Sequence, residues 1–91
     1  MLPQKQKEAF DAFYDSARHN TVLDEKTTVM IHMAVAMAVA CYPCMEYYSS
    51  QLSDAGITDE ELGVVQSIVM AVCGGRVNAQ VQELLGDKKS E

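Results

Sequence analysis

Three observations predict an all-α fold, a small bundle of about five helices that assembles with copies of itself. Apolar residues recur at helical spacing from Ala9 to Leu85. Strand signals are nearly absent, with no Asn-Gly or Asp-Gly hairpin turn and no alternating run bounded by turns. The third observation is MAVAMAVA, residues 33–40, which is apolar on every side of a helix and needs more cover than a chain of 91 residues supplies. The whole chain, 1–91, reads as one domain, without repeats, low-complexity tracts or linkers.

Each element has its own signal. Pro3 suits a first helical turn, and Ala9, Phe10, Phe13, Tyr14 and Ala17 follow on one face. His19 and Asn20 end that helix, with Asn20 expected in a left-handed conformation. Asp24 is an N-cap candidate for a second helix running to about Ala40. Cys41 and Pro43 open a third, which is expected to continue to a C-cap at Gly56. Thr58 and Glu61 match a capping box, and Leu62, Val65, Ile68, Val69 and Val72 form the stripe of a fourth helix. Gly74-Gly75 is expected to break it, leaving Val77, Val81, Leu84 and Leu85 to a last short helix and a weakly ordered tail from about 86.

A net charge of -6 disfavours nucleic acid, whose phosphates demand a basic face. Three cysteines cannot staple a secreted scaffold, so a reducing compartment fits better. The opening MLPQKQKEAF lacks a signal-peptide core, and the apolar run Val29–Cys41 falls short of the ~20 residues that span a bilayer. The expectation is a soluble, cytoplasmic protein that needs no cofactor, membrane or nucleic acid.

The chemistry is concentrated in CYPC, residues 41–44. Cys-x-x-Cys at a helix N-terminus places thiols beside unpaired backbone N–H groups and the positive end of the helix dipole, which favours a thiolate. Zinc needs about four ligands, and Cys73, His19 and His32 do not stand at ligand spacing. Plain packing of two free thiols remains an alternative. For Cys73, within the fourth helix's apolar stripe, packing is the expectation.

The order LDEKTTVMIHMAVAMAVACYPCMEYY, GITDEELGVV and a later GG resembles the AhpD-like alkylhydroperoxidases of the carboxymuconolactone decarboxylase family, over roughly residues 10–80. The resemblance implies an all-α fold in trimers or hexamers. It implies Cys44 as the attacking thiolate and Cys41 as the resolving thiol, recharged by a lipoyl-type dithiol on a partner protein. In that family a glutamate and a histidine form a proton relay around the pair. Here Val29 and Tyr48 stand at those places. A tyrosine hydroxyl donates a hydrogen bond but is a poor base at neutral pH. His32 lies one helical turn from Val29 and is the candidate to replace the base, though a histidine satisfied at a helix–helix or subunit contact is the plainer expectation for it. Glu46 reads as a solvated surface residue, and Tyr42 and Tyr47 as packing aromatics or pocket walls.

The expected function is a dithiol peroxidase or disulfide oxidoreductase. The alternative is a ligand-binding or assembly member of the family that kept the fold and lost the relay. The decarboxylase branch is disfavoured, because the chain offers no convergent set of basic residues for a lactone acid.

Overall fold

In a computed structural model, residues 1–89 are described, with side chains as far as Gly86. Four helices follow one another: α1 (Gln4–Arg18), α2 (Glu25–Ala38), α3 (Tyr42–Ser49) and α4 (Asp59–Lys89). No strand occurs among the described residues. α2 is the centre of the arrangement and packs against both α3 and α4, whereas α1 makes few contacts with any of them.

The expected caps are present. The Asp24 carboxylate accepts from Thr27 N at 2.7 Å and starts α2. Thr58 and Glu61 cap reciprocally, Thr58 N to Glu61 Oε1 at 2.9 Å and Glu61 N to Thr58 Oγ1 at 3.1 Å. Glu61 also pairs with Lys26 at 2.7 Å, tying the start of α4 to α2. Asn20 departs from expectation, since Ala40 is the one non-glycine residue at positive φ among those described. Asn20 acts through its side chain instead. Its Nδ2 donates to Ala17 O and Thr28 Oγ1, and its Oδ1 accepts from the Val22 and Leu23 amides. A side chain that satisfies the connection in this way removes the need for a left-handed backbone.

Two corners share one design. At the end of the turns that follow α3, Gly56 has φ 77°, its N–H reaches Ser53 O, and Ile57 N reaches Leu52 O at 2.9 Å. After α2, Ala40 has φ 56°, its N–H reaches Met37 O, and Cys41 N reaches Ala36 O at 2.9 Å. Both are Schellman motifs. The second places an alanine where a Cβ costs about 1–2 kcal/mol. Ala40→Gly is therefore expected to stabilise the protein by about 0.5–1 kcal/mol, net of the greater freedom glycine gains on unfolding. Urea unfolding at fixed protein concentration checks this, and an unchanged or lower midpoint would refute it.

Two helices differ in length from expectation. α3 stops at Ser49, and residues 50–56 form successive turns that carry the chain to Gly56. Gly74-Gly75 does not break α4, which makes four helices and not five. Glycine costs about 1 kcal/mol in a helix interior, a cost the flanking helical residues outweigh, and no proline follows to force a break. The helix continues through residues 86–89, where a weak tail was expected; for Ser90 and Glu91 that expectation lies outside the described residues.

The fused helix makes Asp59–Gly86 long and apolar enough, by length and composition, to cross a bilayer, at mean hydropathy 1.3. Arg76, Asn78, Gln80 and Gln82 crowd its second half, which suits water or a protein partner better than lipid. On α4 the half-buried stripe is Leu62, Val65, Val69 and Cys73, spaced for one helix face, while Ile68 and Val72 are exposed.

The core is small: Thr28, Val29, Met33, Ala36, Tyr48 and Ile57 are its buried residues. On α2 and its C-cap the opposite stripe, Ile31, Val35 and Val39, stays open at 48%, 56% and 67% exposure. The radius of gyration is 17.6 Å, against about 12 Å for a compact chain of this length. The expected shortage of cover for 33–40 is thus visible in the structure.

Candidate active site

Cys41 and Cys44 are joined by a disulfide, with Cα atoms 5.3 Å apart. The left-handed corner at Ala40 delivers Cys41 to the N-cap of α3, and Pro43 sits in the first turn, where its missing N–H leaves no donor orphaned. Both backbone groups of Cys41 are engaged, its N–H with Ala36 O and its carbonyl with Met45 N at 3.0 Å. The dithiol is half-buried and stands where the helix dipole favours a thiolate. Cys73 is a free, half-buried cysteine on the packed face of α4.

One turn beyond Cys44, Tyr48 is 2% exposed and anchors a cluster that sequence spacing only half revealed. His32 stacks on it, ring centroids 4.3 Å apart and planes 26° apart, and Tyr14 continues the stack at 6.2 Å from His32. Tyr47 meets Tyr48 edge-on at 4.9 Å. The Tyr48 hydroxyl donates to Tyr14 Oη at 3.4 Å and accepts from Arg18 Nε at 3.3 Å. Arg18 lies 4.6 Å over the Tyr14 ring and 4.7 Å from the Tyr47 ring centre. The structure thus brings His32 and Tyr48 together beside the dithiol helix and adds Tyr14 and Arg18, which sequence reasoning missed. Val29 is buried against the same space, and Glu46 is exposed as expected.

Protonation states follow from the partners. His32 Nδ1 lies 2.9 Å from the Thr28 carbonyl oxygen, which only accepts, so Nδ1 carries a proton. In the neutral ring Nε2 is then the free basic nitrogen. Burial, first, and then the Tyr14 hydrogen bond push the Tyr48 phenol up to about 12, with Arg18 pulling the other way. Tyr48 therefore stays protonated at neutral pH and donates. The sign carries into stability: a phenol raised from 10 to about 12 on folding favours the folded state below pH 10. That contribution is lost as pH rises through 12.

Two spaces adjoin the cluster. A cavity of about 50 Å³ is bounded by Arg18, Glu25, Val29, Tyr47 and Tyr48 among others. A more open apolar groove of about 400 Å³ runs between α1 and α2, walled by Phe13, Tyr14, Leu23, Ile31, His32 and Val35. Thr28 lines both. Among the described residues no three His, Cys, Asp or Glu side chains gather as a metal would require.

No protein of curated function matches the sequence. A crystal structure of a protein from Methanobacterium thermoautotrophicum, solved in a structural-genomics programme, is similar, with 25% identity and a TM-score of 0.81. The match covers 92% of this chain and 95% of that one. The family model for carboxymuconolactone decarboxylases matches residues 5–84. With its four helices and its dithiol at the start of α3, the chain belongs to the carboxymuconolactone decarboxylase family.

Proposed function

We propose that the protein is a dithiol peroxidase of the AhpD-like type, with Cys44 attacking and Cys41 resolving. The observation that carries this reading is the Cys41–Cys44 disulfide at a helix N-terminus, one turn from the His32–Tyr48 stack. The Cys44 thiolate attacks the terminal oxygen of a hydroperoxide. An S–O bond forms, the O–O bond breaks, and the alkoxide takes a proton to leave as an alcohol. The Cys41 thiolate then attacks the Cys44 sulfur, forming the disulfide and expelling hydroxide, which leaves as water. An external dithiol, carried by a partner protein, returns both cysteines to thiols and is itself oxidised to a disulfide.

Of the two side chains near the family's relay, His32 is the base and Tyr48 the donor. Nε2 of His32 is free to take the thiol proton, while a phenol held near 12 is too weak an acid to be found deprotonated. His32→Ala is expected to slow peroxide consumption by the reduced protein about 10²-fold, near the low end for general acid–base help. Tyr48→Phe is expected to slow it less than about tenfold, since one neutral hydrogen bond is lost. Stopped-flow assay of single turnovers decides, and the reverse order of the two effects would sink this assignment.

The same reading includes a homo-oligomer built on trimers, most simply a hexamer, in the cytoplasm. The exposed Ile31, Val35 and Val39 stripe and the uncovered far half of α4 supply surface for it. Apolar stripes on this scale usually mark contacts between proteins. Sedimentation at micromolar concentration tests it, and a stable folded monomer would overturn it. A second reading, a non-catalytic binding member, draws on the burial of Tyr48 at 2% exposure, a place in the core and not in an open catalytic mouth. Reduced protein that consumes no hydroperoxide would establish that reading instead.

A further inference from the structure

Arg18 stands out in a chain of 13 acidic and 7 basic residues, because among the described residues it forms no ion pair. Asp11 and Asp15 border a common space with it, yet Asp11 pairs with Lys7 at 2.8 Å and Asp15 with His19 at 3.2 Å. Arg18 turns to the tyrosines instead. Its guanidinium lies over Tyr14 and beside Tyr47, and its Nε–H is given to Tyr48 Oη at 3.3 Å. The last turn of α1 suits a positive charge by its dipole, but the dipole does not account for these partners.

Two bonds meet at the Tyr48 hydroxyl, and they act in opposite directions. Arg18 donates to the oxygen and so favours the phenolate, which is the better acceptor. Tyr14 accepts the proton at 3.4 Å and so favours the neutral phenol, with its O–H turned toward α1. Burial favours the neutral form too, and the phenol is pushed up to about 12. A hydroxyl turns about its C–O bond, and so long a bond to Tyr14 is weak enough to be given up. A phenol that donates to a developing alkoxide must carry negative charge itself, and Arg18 already stands at the atom where that charge forms. The titratable and charged groups around the ring are Arg18, Tyr14 and His19 from α1 and its cap, Glu25 and His32 from α2, and Tyr47 beside it on α3. Of these, Arg18 and Tyr14 are the two that hydrogen-bond to its oxygen.

We propose that Arg18 and Tyr14 are positioning residues that set, with opposite signs, how readily Tyr48 gives up its proton. The proposal rests on the peroxidase reading above, in which Tyr48 is the proton donor. As the alkoxide takes the proton, the Tyr48 O–H bond breaks and Arg18 stabilises the phenolate left behind. Water then returns a proton, and Tyr14 holds it between turnovers.

The first experiment uses the oxidised, full-length protein without peroxide, with 3,5-difluorotyrosine at position 48. Ring fluorines make the phenol more acidic, so it ionises at a pH the fold survives, and the fluorine resonance reports that ring alone. Arg18→Gln is expected to raise its pKa by about one unit or more, and Tyr14→Phe to lower it by about half a unit. Arg18→Lys keeps the charge and loses the planar fork, so its pKa is expected between those of wild type and Arg18→Gln. Arg18→Lys carries the test if the glutamine protein does not fold. An unmoved pKa in the Arg18 variants, or shifts of the same sign for Arg18 and Tyr14, overturns the proposal.

The second experiment follows single turnovers of peroxide by the reduced protein with its ordinary tyrosine. Arg18→Gln is expected to slow them about threefold and Tyr14→Phe to speed them about twofold, modest changes for general acid help. In the Tyr48→Phe background both effects are expected to vanish, since the hydroxyl through which they act is gone. A role in packing alone predicts slower turnover in both variants, with or without that hydroxyl, and this result also overturns the proposal. Opposite titration shifts without any turnover refute the peroxidase reading alone. Turnover with unmoved titrations refutes the assignment of Arg18 and Tyr14 alone.

Discussion

Cys44→Ser protein is expected to consume no hydroperoxide above the uncatalysed rate, a loss of about 10³-fold or more, because the proposed nucleophile is gone. Cys41→Ser protein is expected to behave differently. It reduces one equivalent of peroxide and stops, with Cys44 held as a sulfenic acid that a dimedone-type reagent traps. The structure makes this a sharp test, because local electrostatics and family resemblance point to different sulfurs. Cys41 is the N-cap of α3, where the orphan N–H groups are concentrated, and Cys44 lies within the first turn. Tyr48 stands one turn from Cys44, and His32 lies against Tyr48. If the helix terminus outweighs these side chains, Cys41 attacks, and the trapped sulfenic acid appears in the Cys44→Ser protein instead. Mass spectrometry of the two variants after one equivalent of peroxide distinguishes the outcomes.

Tyr48→Ala is expected to cost about 3–5 kcal/mol, the range for truncating a buried aromatic. Tyr48 is the least exposed residue of a small core, and its ring holds His32, Tyr47 and Arg18 in place. With so few buried residues, a loss of that size approaches the whole stability of a domain. Thermal or urea unfolding at matched concentration measures it. Tyr48→Phe keeps the ring and its stacking and loses the bonds to Arg18 and Tyr14, so about 1 kcal/mol is expected. Both of those bonds are long, at 3.3 and 3.4 Å. If alanine costs no more than phenylalanine, the ring is not what holds the α1–α2–α3 junction.

The two Schellman corners mark how far the sequence could be read. Gly56 announces a left-handed corner because glycine takes positive φ at little cost, and the structure has it there. Ala40 makes the same corner with a residue that gives no such signal, so the second helix was expected to run on to it. The caps at Asp24 and Thr58 were readable because their partners lie three residues away. Arg18 and Tyr14 were not, since their contacts with Tyr48 span 30 and 34 residues, and an arginine in a last helical turn looks like an ordinary dipole partner. His32 was readable through its one-turn spacing from Val29. The Gly74-Gly75 pair misled for the opposite reason: glycine permits a helix break without forcing one, and no proline follows to force it.

The tyrosine cluster also bears on how the protein interacts with ultraviolet light. The chain has no tryptophan and four tyrosines, and Tyr42, Tyr47 and Tyr48 share the short helix α3 with Cys44. Its emission therefore comes from phenols, most of them within a turn or so of the Cys41–Cys44 bond. A disulfide close to an excited phenol drains it by accepting an electron, and a pair of thiols does so far less well. Reduction should brighten the protein and oxidation dim it, so each opening and closing of the Cys41–Cys44 bond would flicker in the molecule's own fluorescence, without a label.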